Sequence, residues 1–200
     1  MRVLALDTTL NRCSVALIED GRALASLSEF MQRGHAERIA PMADDVMRAG
    51  RAEFAALDRI VVTTGPGSFT GLRVGLAFAR GLAVALTKPC VGVSSLEALA
   101  LEAGEDGLRG AAIPGGSDIY VALFESGAVK AAPARVSPDE AKALLQGASV
   151  RGPAADLFGG VVTDAADVVA LARRGARLDP ARYRPDPLYL RAPDAKLPAS

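Results

Sequence analysis

Val61-Val62-Thr63-Thr64-Gly65-Pro66-Gly67-Ser68-Phe69-Thr70-Gly71-Leu72-Arg73 is the stretch on which the fold turns. β-Branched residues lead into a glycine- and proline-bearing turn, and from Phe69 the apolar residues recur at helical spacing as far as Leu86. This predicts a strand at Arg59–Thr63, a tight turn, a long helix at Phe69–Leu86 and a further strand at Cys90–Val93. Ser94 or Ser95 can cap a short helix through Leu101, with Glu97 in its first turn.

Upstream, the chain reads as a meander: Arg2–Leu6, Cys13–Ile18, then Asp20-Gly21 turning into Ala23–Ser28. An amphipathic helix follows over His35–Ala49, with Ala36, Ile39, Ala43, Val46 and Met47 on one face and Pro41 as a possible late start or kink. Downstream, Gly104–Gly110 reads as a hinge, followed by strands at Ala111–Ile113 and Ile119–Phe124 with a turn at Glu125-Ser126-Gly127. Ser137-Pro138-Asp139-Glu140 is a capping-box helix start. Val161–Val162 reads as a strand, and Thr163 caps a helix that Gly175 ends. Prolines 180, 185, 187 and 193 keep the tail irregular, and it is expected to wrap over the body. A meander followed by alternating helices and strands predicts an α/β protein with mixed sheets and packed helices.

The glycine turn fails each phosphate-loop template. A Gly-x-Gly-x-x-Gly motif needs its third glycine where Thr70 stands, no lysine follows for a Walker loop, and Pro66 occupies the first glycine of a serine elbow. Two readings stay open: an anion site at a helix N-terminus, or a turn whose glycines serve close packing. Asp7-Thr8-Thr9, between the first two strands, could hold a magnesium ion through water and approach a phosphate, or could simply form an Asx turn. No glycine lies in Asp7–Arg12 to ease a phosphate's approach.

Composition bounds the rest. The 200 residues are half apolar, 23% charged and formally neutral, so no general field draws the chain to nucleic acid or anionic lipid. Two separated cysteines, Cys13 and Cys90, read as reduced thiols, and the single His35 has Ile39 one helical turn away, which excludes a His-x-x-x-His metal pair. Met1-Arg2 leads straight into a strand, and the most apolar stretch carries Arg73 and Arg80, so a cytoplasmic protein is expected. Arg173–Arg191 holds six arginines against Asp179 and Asp186, a local excess that could touch RNA, an acidic partner or the protein's own carboxylates.

These segments together resemble the TsaB (YeaZ) family. Leu4-Ala5-Leu6-Asp7-Thr8-Thr9 with Cys13–Leu17 is similar to its first hairpin, Gly34–Pro41 to its first helix start, Gly65–Arg73 to its hallmark, and Ser94–Ala100 and Pro187–Arg191 to its later signatures. The resemblance implies an actin-like (ASKHA) two-lobed fold, each lobe a mixed β-sheet with packed helices and the second degenerate: a lobe at residues 1–103 with docking helices and a smaller lobe at 104–200 with a proline-rich tail. It implies a non-catalytic partner of TsaD in threonylcarbamoylation of N6 of the adenosine beside the anticodon, with the ATPase TsaE in the assembly. Transfer RNA would be met indirectly, and the isolated chain could pair with itself. Pro114-Gly115-Gly116 departs from the family's Asp-Ala-Arg-like run. No tightly bound cofactor is expected, and ATP only weakly, at Asp7, Thr8 and Thr9, or at the interface of the complex. The alternative on the same fold, an independent ATP-dependent phosphotransferase, lacks an assignable carboxylate base, and a peptidase lacks a nucleophile–base pair.

The long helix shows one apolar stripe of Leu72, Leu76, Ala79, Ala83 and Leu86 and a second of Val74, Phe78, Leu82 and Ala85 with Gly71 and Gly75. Methionines 31, 42 and 47 cluster at or near the neighbouring helix. With the resemblance, the candidate partner interface is His35, Met42, Met47, Gly71, Val74, Gly75, Phe78 and Leu82.

Overall fold

The computed structural model describes residues 1–101 and 107–190. Part of the Gly104–Gly110 hinge, Pro193 and Arg191 lie outside the described residues. Strands β1 (Arg2–Asp7), β2 (Arg12–Glu19) and β3 (Arg22–Phe30) form an antiparallel meander. Helix α1 (His35–Ala49), β4 (Arg59–Thr63), α2 (Phe69–Leu86), β5 (Cys90–Val93) and α3 (Ser95–Ala100) follow. Both β4 and β5 are added in parallel, giving the sheet order β3-β2-β1-β4-β5.

A second sheet repeats the plan. β6 (Leu108–Gly115), β7 (Asp118–Glu125) and β8 (Ala128–Val136) form its meander, α4 (Pro138–Leu144) follows, and β9 (Ser149–Arg151) joins β6 in parallel. A 3-10 turn at Ala155–Phe158 then leads to Val161, which makes a single parallel bridge to Arg151, and α5 (Val168–Arg177) closes the series.

Two apolar layers hold the first sheet. On one face Leu4, Leu6, Val15, Leu17, Ile60 and Val62 pack with Ile39, Met42, Val46 and Met47 of α1 and Leu72, Leu76, Ala79 and Ala83 of α2. The opposite face, with Val3, Ala5, Ala16, Ile18 and Val61, shares a cluster with Leu171 and Ala172 of α5, Leu96 and Leu99 of α3, and Ala111, Ile113, Ala122 and Phe124 of the second sheet. The closing helices are exchanged: α3 packs on β6 and β7, while α5 packs on β1 and β2. A third cluster lies under α4.

Local chemistry explains most boundaries. Ser94 accepts from the Glu97 amide at 3.0 Å, and Ser137 with Glu140 completes the capping box of α4. Helix α1 runs uninterrupted through Pro41; the Glu37 carbonyl that loses its helical donor there lies in an exposed residue, where water can serve it. Ala36 is exposed rather than part of the buried face. Four sequence expectations are corrected. The reading left β8 and β9 out: β8 is alanine-rich with Pro133 and sits at the sheet edge, where a missing N–H is tolerated, and β9 has only three residues. Val161–Val162 amounts to one bridge. Helix α5 is capped by Asp167, whose carboxylate accepts from Val169 and Ala170, because the Thr163 hydroxyl donates instead to the Ala165 carbonyl. It also runs past Gly175 to Arg177, since a Cβ at Gly175 would collide with Val61 and glycine serves packing there.

Candidate functional site

Parallel pairing of β1 with β4 sets Thr63 beside the end of β1, where Asp7 lies buried. One carboxylate oxygen, Asp7 Oδ1, accepts three hydrogen bonds: from the Thr9 amide at 2.9 Å, the Thr9 hydroxyl at 2.6 Å and the Thr63 hydroxyl at 2.6 Å. Ser95 Oγ lies 2.8 Å from Thr9 Oγ1, and Thr8 Oγ1 donates to the Gly71 carbonyl at 2.7 Å. All five side chains are about 1% exposed (Asp7, Thr8, Thr9, Thr63 and Ser95). The structure thus joins Asp7, Thr8 and Thr9 into one buried cluster and adds two residues that the sequence reading missed. The signal for Thr63 was its place at the end of a strand leading into the glycine turn; Ser95 was considered only as a cap.

The glycine turn is seated on this cluster. The Ser68 amide donates to the Thr9 carbonyl at 2.7 Å, and the Ser95 amide to the Gly65 carbonyl at 2.7 Å. A Cβ at Gly67 or Gly71 would overlap the carbonyl oxygen of Thr9 or Thr8. Close packing therefore accounts for these glycines, while the Ser68 side chain caps α2 by accepting from the Gly71 amide at 3.2 Å. Because the cluster's hydroxyls and Asp7 Oδ1 bond one another, a phosphate or magnesium ion could use those atoms only after the bonds opened, whereas Asp7 Oδ2 takes part in none of them. Among the described residues no three of His, Cys, Asp and Glu come together as a metal-ligating group. Burial pushes both thiols, Cys13 and Cys90, up to about 11, so neither is an activated nucleophile at neutral pH.

The candidate interface residues divide by burial. Met42 and Met47 are fully inside the α1–α2 core, and Gly71 and Gly75 face Thr8, so none of these four can touch a partner without repacking. His35 is also buried, and its Nε2 has no hydrogen-bond partner. Val74, Phe78 and Leu82 are half-buried at the rim of the core. The second stripe of α2, expected from helical geometry on roughly the opposite side from the first, is therefore a flank. The outward line runs through Arg73, Ala77, Gly81 and Val84, and Val84 is 81% exposed. By length and composition α2 could cross a membrane, but its inner side is part of the core, and Arg80 on its outer side pairs with Asp186 at 2.8 Å.

The tail is the remaining element of the site. The Gly92 amide donates to the Tyr183 carbonyl at 2.9 Å and the Leu188 amide to the Thr64 carbonyl at 2.8 Å, so the tail follows β5 and crosses beside the glycine turn. Its wrapping course agrees with the sequence expectation as far as Leu190.

Two mixed sheets of one plan with exchanged closing helices define an actin-like, two-lobed protein. The solved ethanolamine utilization protein EutJ from Carboxydothermus hydrogenoformans shares this fold with a TM-score of 0.53 at 12% identity, covering 88% of each chain. A family model described as TsaD: tRNA N6-adenosine threonylcarbamoyltransferase matches residues 27–142. The chain belongs to that family, within which it groups with TsaB/YeaZ. It is 41% identical over 100 residues to the tRNA threonylcarbamoyladenosine biosynthesis protein TsaB of Escherichia coli K12, a match covering 50% of this chain and 43% of that protein. A solved Pseudomonas aeruginosa protein described as similar to the peptidase YeaZ superposes with a TM-score of 0.78 at 29% identity, over 95% of this chain and 99% of that one. The matched segment thus spans less than half the length of the curated TsaB relative.

Proposed function

We propose that this chain is a cytoplasmic, non-catalytic docking subunit for threonylcarbamoylation of N6 of the adenosine beside the anticodon in tRNA. In this reading residues 1–103 form the docking lobe and residues 104–200 the smaller lobe. The chain binds TsaD through the outward side and flank of α2, helps to recruit TsaE, and meets tRNA within the assembly. Alone, it pairs with a second copy through the same helix.

The observation that carries the reading is the surface of α2. Val74, Ala77, Phe78, Gly81, Leu82, Val84 and Ala85 are exposed or half-buried on an 18-residue helix, with Arg73 and Arg80 as the charged groups among them. Apolar surface of this kind is worth about 25 cal/mol per Å² on burial, so covering it with a partner helix is favourable by several kcal/mol. The self-bonded Asp7–Thr9–Thr63–Ser95 cluster supports a non-catalytic role, because its hydroxyls and Asp7 Oδ1 already bond one another. Any ATP contact is then weak or lies at the interface of the complex.

The test is calorimetric titration of TsaD into the chain, with ATP turnover measured for the chain alone and for the mixture. The reading requires binding, and no turnover by the chain alone. Turnover by the isolated chain that Asp7→Ala abolishes would instead establish the phosphotransferase alternative.

A further inference from the structure

Helix α2 begins with an exposed aromatic pair that lies ahead of the apolar docking run Val74–Ala85, with Arg73 between the two. Phe69 is 55% exposed and Tyr189 50%, their ring centroids are 6.0 Å apart at 39°, and the Arg73 guanidinium lies 3.8 Å from the Phe69 ring centroid. Residue spacing on the helix puts Arg73 one turn beyond Phe69, and the Leu188 amide bond to Thr64 brings Tyr189 to the pair. Further up the tail, the Gly92–Tyr183 bond lays Arg182, Tyr183 and Arg184, all exposed, along the outermost strand β5.

We propose that Phe69, Arg73, Tyr189, Arg182, Tyr183 and Arg184 form a stacking contact for a single-stranded RNA loop. Aromatic side chains make up only 4% of this chain, yet three of its four exposed large aromatics, Phe69, Tyr183 and Tyr189, lie at the start of α2 or on the tail that runs from β5 to it; the fourth is Phe30. Neither Arg182 nor Arg184 makes an ion pair among the described residues, Asp179 is engaged by the Ala181 amide, and Asp186 is paired with Arg80. In a chain of zero net charge this is a concentrated positive stripe. An acidic protein segment would satisfy the guanidinium groups but leave the ring faces in water. Unstacked bases satisfy both, stacking on rings and guanidinium planes while phosphates pair with the arginines. A duplex offers phosphates but no free base faces, so a loop is favoured over a helix. The inference rests on the RNA-modification reading above and names where this chain would touch the RNA.

The test uses fluorescence anisotropy of the whole chain with a synthetic RNA stem–loop and with a blunt RNA duplex, across a salt series. The wild-type chain binds the loop more tightly than the duplex. Phe69→Leu with Tyr189→Leu loses about tenfold for the loop and little for the duplex. Arg182→Ala with Arg184→Ala weakens both RNAs and lowers the slope of log affinity against log salt by about 1.4. Unfolding curves establish that each variant is folded; should the leucine pair not fold, photocrosslinking of loop RNA to the wild-type chain decides, with adducts expected at Tyr183 or Tyr189. Equal affinity for loop and duplex, no RNA binding, wild-type binding by folded variants, or crosslinks only elsewhere would overturn the proposal. So would variants that bind RNA normally but lose TsaD, since the stripe would then be a protein contact. TsaD titration of the same samples separates the two readings: intact TsaD binding without an RNA contact sinks this one alone.

Discussion

Each lobe runs meander, helix, parallel strand, helical connection, parallel pairing and closing helix, but the two lobes have spent that plan differently. Where the first has α2, 18 residues long, the second has the four-residue 3-10 turn Ala155–Phe158; where the first has the full strand β5, the second has the lone Val161 bridge. The first hairpin turn holds the buried Asp7-Thr8-Thr9 cluster, and its counterpart is Pro114-Gly115-Gly116, with Gly116 in open space at φ +87. The difference teaches that the shared fold needs only the meander and the exchanged helices α3 and α5. The long helix and the polar cluster are confined to one lobe, and such features are where function should be sought.

The largest effect expected from this contrast is on α2. Leu76 is 4% exposed, so Leu76→Glu places an unpaired carboxylate in the core and should cost about 4 kcal/mol, enough to unfold a marginal domain. Phe78→Glu, on the half-buried flank, should leave a folded protein that binds TsaD at least a hundredfold more weakly, as central interface residues do. Leu157→Glu, at a 59% exposed position of the second lobe's 3-10 turn, should change neither. Urea unfolding with TsaD titration reads all three. Loss of TsaD binding by the Leu157 variant, or full binding by a folded Phe78 variant, breaks the asymmetry. Next in size is Gly71→Ala, whose Cβ would meet the Thr8 backbone carbonyl and should cost about 3 kcal/mol. Gly116→Ala meets no neighbouring atom and carries only the positive-φ penalty of about 1 kcal/mol. Equal losses in the two variants would mean that the glycine turn is not the tighter of the pair.

Much of this was legible in the sequence where periodicity and caps speak, and less so where tertiary contacts decide. The limits of β4, α2 and β5, and the caps of α3 and α4, follow from local residues. Strand β8 was hidden because alanine has little strand preference and Pro133 argues against any but an edge position. At the site, Asp7, Thr8 and Thr9 could be singled out, but Thr63 and Ser95 reach them only through parallel pairing and the turn after β5. Helical spacing groups Gly71 and Gly75 with the second stripe, because a side-chain count cannot see that their lack of Cβ admits Thr8. Met42 and Met47 suit an adaptable interface by chemistry, yet the sheet buries them.

A third comparison weighs the carboxylates of the two meanders. Asp7→Ala removes the acceptor of three hydrogen bonds and strands buried hydroxyls of Thr9 and Thr63, so it should cost about 2–3 kcal/mol. Asp118→Ala at the second meander removes only a partly exposed ion pair to Arg135, at 2.7 Å, and should cost less than about 1 kcal/mol. Adding Thr63→Val to Asp7→Ala should recover part of the loss, because one stranded hydroxyl is then gone; no recovery would show that the bond network is not the source of the cost.

The smallest expected effect is in acid. Among the described residues each lobe holds one glutamate below its ordinary carboxylate range, for different reasons. Glu29 on β3 is lowered chiefly by hydrogen bonds from the Arg38 guanidinium, at 2.7 and 2.5 Å. Glu140 in α4 is lowered first by its bond from the Ser137 amide at 2.9 Å, then by the Ser137 hydroxyl. A carboxylate held lower in the folded than in the unfolded chain contributes stability that is complete above its unfolded value and fades as pH falls through its folded value. Both contributions should therefore be present at neutral pH and lost below about pH 4. Both groups are exposed to solvent, so each loss is small and is best read as a titration rather than as unfolding. Salt should tell them apart. Both donors are in contact with their acceptors, but Arg38 carries a full charge whose attraction counterions weaken, whereas the Ser137 amide is a neutral fixed dipole. Carbon-detected titration of the two carboxyl groups at low and high salt should show Glu29 moving back toward its ordinary value while Glu140 stays low. With Arg38→Gln the Glu29 shift should vanish, and with Ser137→Ala the Glu140 shift should shrink but persist, because the backbone donor remains. If Glu140 instead follows salt as Glu29 does, the capping box is not what holds it, and the second lobe's acid response is one of net charge.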